Sequence, residues 1–325
     1  IIYIETAENL LQGKGFVSAG QPMTHFPPGY PIILAGSGIF NPDLNIAARW
    51  LHTSLYAVNA ILFGLSIFVS TRRNLLAMVL GFLVYFSSAS VLRVHARAWS
   101  ESPFLTFSLI LFLMLGLYIQ RKKWQYLLIA SLALGFAMAT RYVGITLAPA
   151  VVICLLFCNK ETLKKKTKEV LAVLVIASLP MIAWILRNLL ITESAANRDF
   201  IFHPFSMKNI VTLVNTIHGF FLPQFDEGWF NGIELGLIVI LLSYMVVQII
   251  KGSSSSTNLA SENKFRVMFG YVFSITYIAV LLISITFIDA YTPLDERILL
   301  PVFLFMSISI FATVFEFAAL KQRQH

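Results

Sequence analysis

Apolar residues run along this chain in long blocks, not in alternation. Nine of the blocks read as helices that cross a bilayer: residues 47–70, 75–93, 102–120, 125–141, 143–158, 170–190, 231–250, 267–287 and 298–319. A hydrocarbon core needs ~20 such residues per helix, with a range of ~17–25. The fifth block is short and follows the fourth with almost no loop, so the two also read as one broken element. Shorter patterns lie between the blocks. Tyr3, Ala7, Leu10 and Leu11 share one helical face. Glu5, Glu8, Asn9 and Gln12 are its polar remainder, and Gly13 and Gly15 stop it. "MKNIVTLVNTIHGFF" (207–221) has helical periodicity at modest length and reads as an interfacial helix. The pattern predicts an all-α polytopic membrane protein with about nine transmembrane helices and juxtamembrane helices in the loops of one side.

Composition agrees with the pattern. The 325 residues are 58% hydrophobic and 12% charged, against ~25% charged in an average soluble domain, and the mean hydropathy is +0.78. Cys154 and Cys158 lie four apart inside an apolar block and read as small packing residues on one helix face. No His/Cys/Asp grouping has zinc spacing, and there is no Gly-rich phosphate loop, nucleophile elbow or nucleic-acid pattern. The reading therefore includes no metal, no cofactor and no nucleic-acid partner.

The net charge is +8, and its distribution gives sidedness. One set of loops holds 15 of the 24 basic residues, from Arg72 and Arg73 to Lys321 and Arg323, against four acids. These loops are expected to be cytoplasmic. Residues 1–46, 94–101, 191–230 and 288–297 then face outward. Residues 251–266, opening on "KGSSSSTNLASENK", read as a flexible cytoplasmic linker. "NKETLKKKTKE" reads as an orientation signal in contact with lipid headgroups. The whole is expected to be one domain: an outer loop over 1–46, then transmembrane helices over 47–319.

The outward loops carry the chemistry. Pro27-Pro28-Gly29 forms a rigid turn, Pro31 ends the irregular piece, and Phe26 and Tyr30 are expected at headgroup level. This piece is either an interfacial anchor or a wall that presents His25 to a site. "VLRVHARAWSESPFL" places Arg93, His95, Arg97 and Glu101 within nine residues. Ser100 or Ser102 can cap the next helix, with Glu101 near its N-terminus. Glu101 is then either a capping carboxylate paired with Arg97 or a carboxylate held in a cavity. Arg141, Arg187 and Arg297 each stand at the outer end of a different span, where positive charge is disfavoured. One such Arg reads as snorkelling. Three, together with Arg97, read as a site for a negative group, since guanidinium suits bidentate phosphate binding. Asp226, Glu227 and Trp229 form an acidic and aromatic loop that suits a sugar or is simply solvated.

"YIETAENLLQGKGF", "FPPGYPIIL", "ARAWSESPFL", "GFAMATRYVGI", "WILRN" and "DERILLP", in this order over residues 3–301, resemble the GT-C membrane glycosyltransferases. Within them, the resemblance is to the bacterial group related to protein O-mannosyltransferases and aminoarabinose transferases. It implies a transferase of the bacterial inner membrane, working on the outer face. The implied partners are a polyprenyl-phosphate-linked sugar donor, a lipid, glycan or protein acceptor, and membrane lipids. Glu101 matches an acidic catalytic position. Arg141 and Arg297 match positions that neutralise the donor phosphate, and Arg97 is grouped with them. Tyr3, Glu5, His25 and Asp295 are the expected substrate-binding residues. The family pattern places a catalytic Asp about four residues before the match to Tyr3. A first span and that Asp are therefore expected upstream of residue 1, and the chain as it stands is expected to be nearly inactive. The rival reading is a transporter or flippase for an anionic lipid-linked substrate. No internal repeat supports it.

Overall fold

The computed structural model describes residues 2–192, 201–204, 206–221, 261–289 and 292–322. The expected span at 231–250, the loop with Asp226, Glu227 and Trp229, and residues 251–260 of the expected linker lie outside them.

Helix α1 (Ile2–Leu11) leads through a small antiparallel hairpin, β1 (Val17–Ser18) and β2 (Gln21–Pro22), to α2 (Gly29–Ser37). Ala19 and Gly20 at the hairpin tip both have positive φ, 51° and 73°, as a two-residue hairpin turn of this hand requires. Helix α3 (Leu44–Ser70) starts where the Asp43 carboxylate accepts from the amides of Asn45 and Ile46. The expected span 75–93 is not one straight helix. It divides at Ser88 into α4 (Leu75–Ser87) and α5 (Ala89–His95), bent by 66°. Ser88 is extended there, and its hydroxyl caps Val91.

Helices α6 (Glu101–Arg121), α7 (Trp124–Thr140), α8 (Leu147–Cys158) and α9 (Leu163–Thr192) follow. A 3₁₀ turn over Tyr142–Thr146 joins α7 to α8. A Cβ on Gly144 would lie 2.8 Å from the backbone of Ala137 and Met138. The chain therefore doubles back after Arg141, and the fourth and fifth blocks are two elements. Helix α10 (Met207–Phe221) occupies the expected interfacial segment. Helix α11 (Ser261–Phe287) begins six residues ahead of the expected span, so residues 261–266 are helix and not linker. Helix α12 (Glu296–Gln322) closes the described chain.

Among the described residues five helices are long and apolar enough to cross a membrane: α3, α6, α9, α11 and α12, with the bent pair as a sixth. The polytopic all-α architecture stands; the described residues do not establish the count of nine, since the expected span at 231–250 lies outside them. α7, with 17 residues, is at the short limit of a full crossing, and α8, with 12, is below it.

Close helix contacts are made at small residues, as is usual where lipid supplies no hydrophobic drive for helices to associate. Gly135 of α7 lies against the Ala177 backbone of α9, where an added Cβ would be 2.9 Å from the carbonyl oxygen. An aromatic seam joins α6 to α11 and α12: Phe112 stacks on Phe265 at 5.3 Å and meets Phe269 at 5.4 Å, and Phe273 meets Phe305 at 4.9 Å. Cys154 and Cys158 are free and buried in α8, as packing residues would be.

The two sets of loops separate to the two ends of the bundle. At one end Arg72 pairs with Glu316, Lys122 bonds Asn159, and Asn159 donates to Glu169 at 2.6 Å. At the other, Arg187 donates to the carbonyls of Met23 (2.7 Å) and Phe16 (3.2 Å), and the Thr216 hydroxyl donates to the Leu294 carbonyl (2.7 Å). The second end holds the residues of interest.

Candidate active site

Glu101 sits in the first turn of α6, where the helix dipole favours a carboxylate. A buried network fixes this turn from behind. The Asn59 amide of α3 donates to the Ser102 carbonyl (2.9 Å), and its oxygen accepts from the Thr106 hydroxyl (2.7 Å). The same amide nitrogen lies 3.0 Å from His95 Nε2, while His95 Nδ1 lies 2.8 Å from the Val91 carbonyl. A carbonyl can only accept, so the Nδ1 carries the proton and Nε2 receives. The end of α5 and the start of α6 are thereby pinned to α3.

Two arginines converge on Glu101. Arg141 Nη1 lies 2.7 Å from Glu101 Oε1, and Arg297 Nε lies 3.4 Å from the same oxygen. The side chains are 3% exposed for Glu101, 13% for Arg141 and 31% for Arg297. Both nitrogens are buried and within ion-pair distance, yet neither has hydrogen-bond alignment. The cluster holds two cations, one anion and buried N–H donors without aligned acceptors. Arg141 follows the last residue of α7, in extended conformation, where the helix C-terminus welcomes a cation. Arg297 is in the first turn of α12, against the dipole of that helix. The Glu101 charge offsets that cost.

Aromatic rings wall the cluster. The Arg141 guanidinium lies 6.0 Å from the Phe104 ring centre, and the Arg297 guanidinium lies 5.2 Å from that of Trp99. Tyr277 is fully buried and donates to the Ile298 carbonyl at 2.7 Å, tying α11 to the turn that carries Arg297. Tyr3 reaches the cluster from α1. Its ring packs edge-on against Tyr30 (4.9 Å) and Phe26 (5.3 Å). Burial holds the Tyr3 hydroxyl above its ordinary pKa, and the neighbouring Glu101 charge adds to this, so it is a neutral donor at any physiological pH.

The remaining expected residues divide. Asp295 caps α12, accepting from the Ile298 amide at 3.1 Å, so it borders the site and orders its helix. Glu5 is engaged elsewhere: its carboxylate accepts from Ser18 Oγ (2.7 Å) and the Ala19 amide (2.6 Å) and holds the hairpin. His25 is exposed, with its ring 6.4 Å from that of Phe26. Arg97 does not pair with Glu101. Helix α5 ends at His95, which breaks the helical spacing on which that pairing depended, and Arg97 stands exposed over Trp99 at 4.8 Å. Arg187 braces the Phe16 and Met23 carbonyls and lies over the Trp184 ring at 4.7 Å, so it is not a third site arginine. Tyr30 is fully buried and bonded to His52 Nε2 at 2.7 Å, so it is not an exposed interfacial ring. Trp99, His52 and Tyr277 are not singled out by the sequence, and nothing in it gives Tyr30 a buried partner. Of the first three, only Trp99 has a sequence signal, its place between Arg97 and Glu101.

Residues 27–184 match the family model described as dolichyl-phosphate-mannose-protein mannosyltransferase. That region carries Glu101 and Arg141 but ends before Arg297. The fold is similar to the crystal structure of ArnT from Cupriavidus metallidurans bound to undecaprenyl phosphate, with a TM-score of 0.58 at 14% identity. The match covers 95% of this chain and 54% of that protein, so the chain spans about half of its length. No protein of curated function matches in sequence.

Proposed function

We propose that this chain, a member of the GT-C superfamily of membrane glycosyltransferases, takes part in moving a sugar from a polyprenyl-phosphate donor to an acceptor hydroxyl at the outward membrane face. The carrying observation is the buried Glu101 with Arg141 and Arg297 on one of its oxygens. Glycosyl transfer breaks the bond between the anomeric carbon and the phosphate oxygen. The electron pair leaves on the phosphate, and the acceptor oxygen forms the new bond and gives its proton to a carboxylate. The departing phosphate needs preorganised positive charge in a site shielded from water. Arg141 and Arg297 supply it, and Glu101 keeps both guanidinium groups in place until the donor arrives. Tyr3, Asp295 and His25 are the residues proposed to contact donor and acceptor, supported for Tyr3 and Asp295 by their place beside the cluster.

This reading fits the similarity to a fold known with bound undecaprenyl phosphate, and it fits a carboxylate and two arginines gathered at one end of the bundle. The test uses the full-length protein in proteoliposomes with radiolabelled polyprenyl-phosphate sugars and membrane acceptor fractions. Wild type should label an acceptor, while Arg141→Ala and Arg297→Ala should lose transfer by about 10²–10³-fold at equal expression. Wild-type rates in both variants refute the assignment.

A further inference from the structure

Trp99 is a side chain that the ion-pair cluster alone does not explain. Its indole has two guanidinium groups over it, Arg97 at 4.8 Å and Arg297 at 5.2 Å from the ring centre. The local backbone brings this about. The Trp99 amide donates to the Arg97 carbonyl at 2.8 Å, a tight turn that folds residue 97 back toward residue 99. Two cations on one ring repel each other, and the indole face, the strongest of the neutral side chains for this contact, partly offsets the repulsion. Of the two, Arg297 also reaches Glu101, whereas Arg97 is exposed and has no ion pair among the described residues. The indole is therefore the one observed contact that keeps the Arg97 charge beside the cluster.

We infer that Trp99 is a positioning residue that holds Arg97 and Arg297 on one aromatic platform, so that an entering phosphate meets three guanidinium groups instead of two. The inference rests on the donor-phosphate reading above. It restores Arg97 to anion binding through Trp99 and not through Glu101. Trp99 does not touch the phosphate; it sets where the arginines stand when the site is empty. Its loss should weaken donor capture and leave the chemical step nearly intact.

The experiment titrates the full-length protein with a polyprenyl phosphate in detergent and measures transfer kinetics in parallel. Trp99→Leu should weaken lipid binding and raise the donor KM by roughly tenfold, with kcat within about threefold. Trp99→Phe should recover most of the affinity, because a benzene face still attracts guanidinium. The double variant Trp99→Leu/Arg97→Leu should bind no more weakly than Trp99→Leu alone, since Arg97 acts through the ring. Full affinity in Trp99→Leu, or additive losses in the double variant, overturns the platform. A second readout separates this from failure of the donor reading. Arg97→Leu should change the tryptophan emission of wild type and leave that of Trp99→Phe unchanged. If wild type binds no polyprenyl phosphate yet this emission change occurs, the donor reading fails and the platform stands. If emission does not respond, the platform fails whatever the lipid does.

Discussion

Replacing Glu101 by Gln should make the empty site less stable and its grip on an anion tighter. The change keeps the shape of the side chain and removes its charge. Arg141, 13% exposed and 2.7 Å away, then loses its counter-ion in a buried setting, which costs about 3–5 kcal/mol in comparable cases. Arg297, 31% exposed and 3.4 Å away, is closer to water and adds only ~0.5–1 kcal/mol. The empty protein should lose about 4 kcal/mol in total. The same substitution clears a negative charge from the place a phosphate would enter. At about 5 Å and an effective dielectric near 20, that repulsion is ~3 kcal/mol before screening. If half of it survives, affinity rises about tenfold. The assay is thermal unfolding of the purified full-length protein with and without a polyprenyl phosphate, beside a direct titration. The signature is opposite signs: a lower melting temperature alone, a larger lipid-induced rise, and slower transfer. A variant as stable as wild type, or one that binds the lipid more weakly, would show that Glu101 is not the counter-ion of these arginines.

Three further expectations concern the scaffold around the site. Arg187→Leu removes donors to the Phe16 and Met23 carbonyls. It should cost about 2 kcal/mol and speed amide exchange over residues 16–24. Gly29→Ala would set a Cβ 2.6 Å from the Ala139 carbonyl, two residues before Arg141, whereas Gly36 in the same helix has open space. The first change should lower stability by about 1–3 kcal/mol and slow transfer, and Gly36→Ala should do neither. The Glu5 carboxyl is held below its ordinary pKa by the Ser18 hydroxyl and the Ala19 amide. Its contribution to the hairpin is present above the usual glutamate pKa of about 4.3 and is lost as pH falls through the lower folded value. Exchange of the Ala19 amide, corrected for intrinsic rates, should rise in that acid window, and in Glu5→Gln it should be insensitive to pH there.

The residues that proved central were readable because each conflicts with its setting. A carboxylate and two arginines at the ends of apolar helices are expensive unless they meet, and Glu101, Arg141 and Arg297 do meet. Arg187 carried the same signal and misled, because backbone carbonyls of the first loop satisfy it and no sequence pattern marks a carbonyl as a partner. Arg97 misled for a different reason. Its pairing with Glu101 assumed a helix through residue 101, and the chain leaves the helix at Ala96. The Tyr30–His52 and Asn59–His95 bonds join positions 22 and 36 residues apart, and neither end shows periodicity or a motif that predicts the other. Hydropathy gave the helices, but it could not tell length along the chain from height across the membrane.

The bend at Ser88 makes that last difference physical. Upright, α4 has 13 residues, or ~20 Å at 1.5 Å per residue, while an undisturbed hydrocarbon core is ~30 Å thick. If α4 alone spans the core beside lipid, thinning of the bilayer is one way to match it, at a cost that grows with each ångström of mismatch. Such thinning would draw the headgroup plane down on the flank of the bundle where α5 carries Arg93 toward Glu296, just ahead of the Trp99–Glu101 turn. Under the donor-phosphate proposal, a long-chain lipid phosphate on that flank would then start closer to the depth of the arginines than elsewhere in the membrane. Bilayer thickness would then be a control on the protein, and transfer should be faster in short-chain than in long-chain lipids; equal rates in both would refute this.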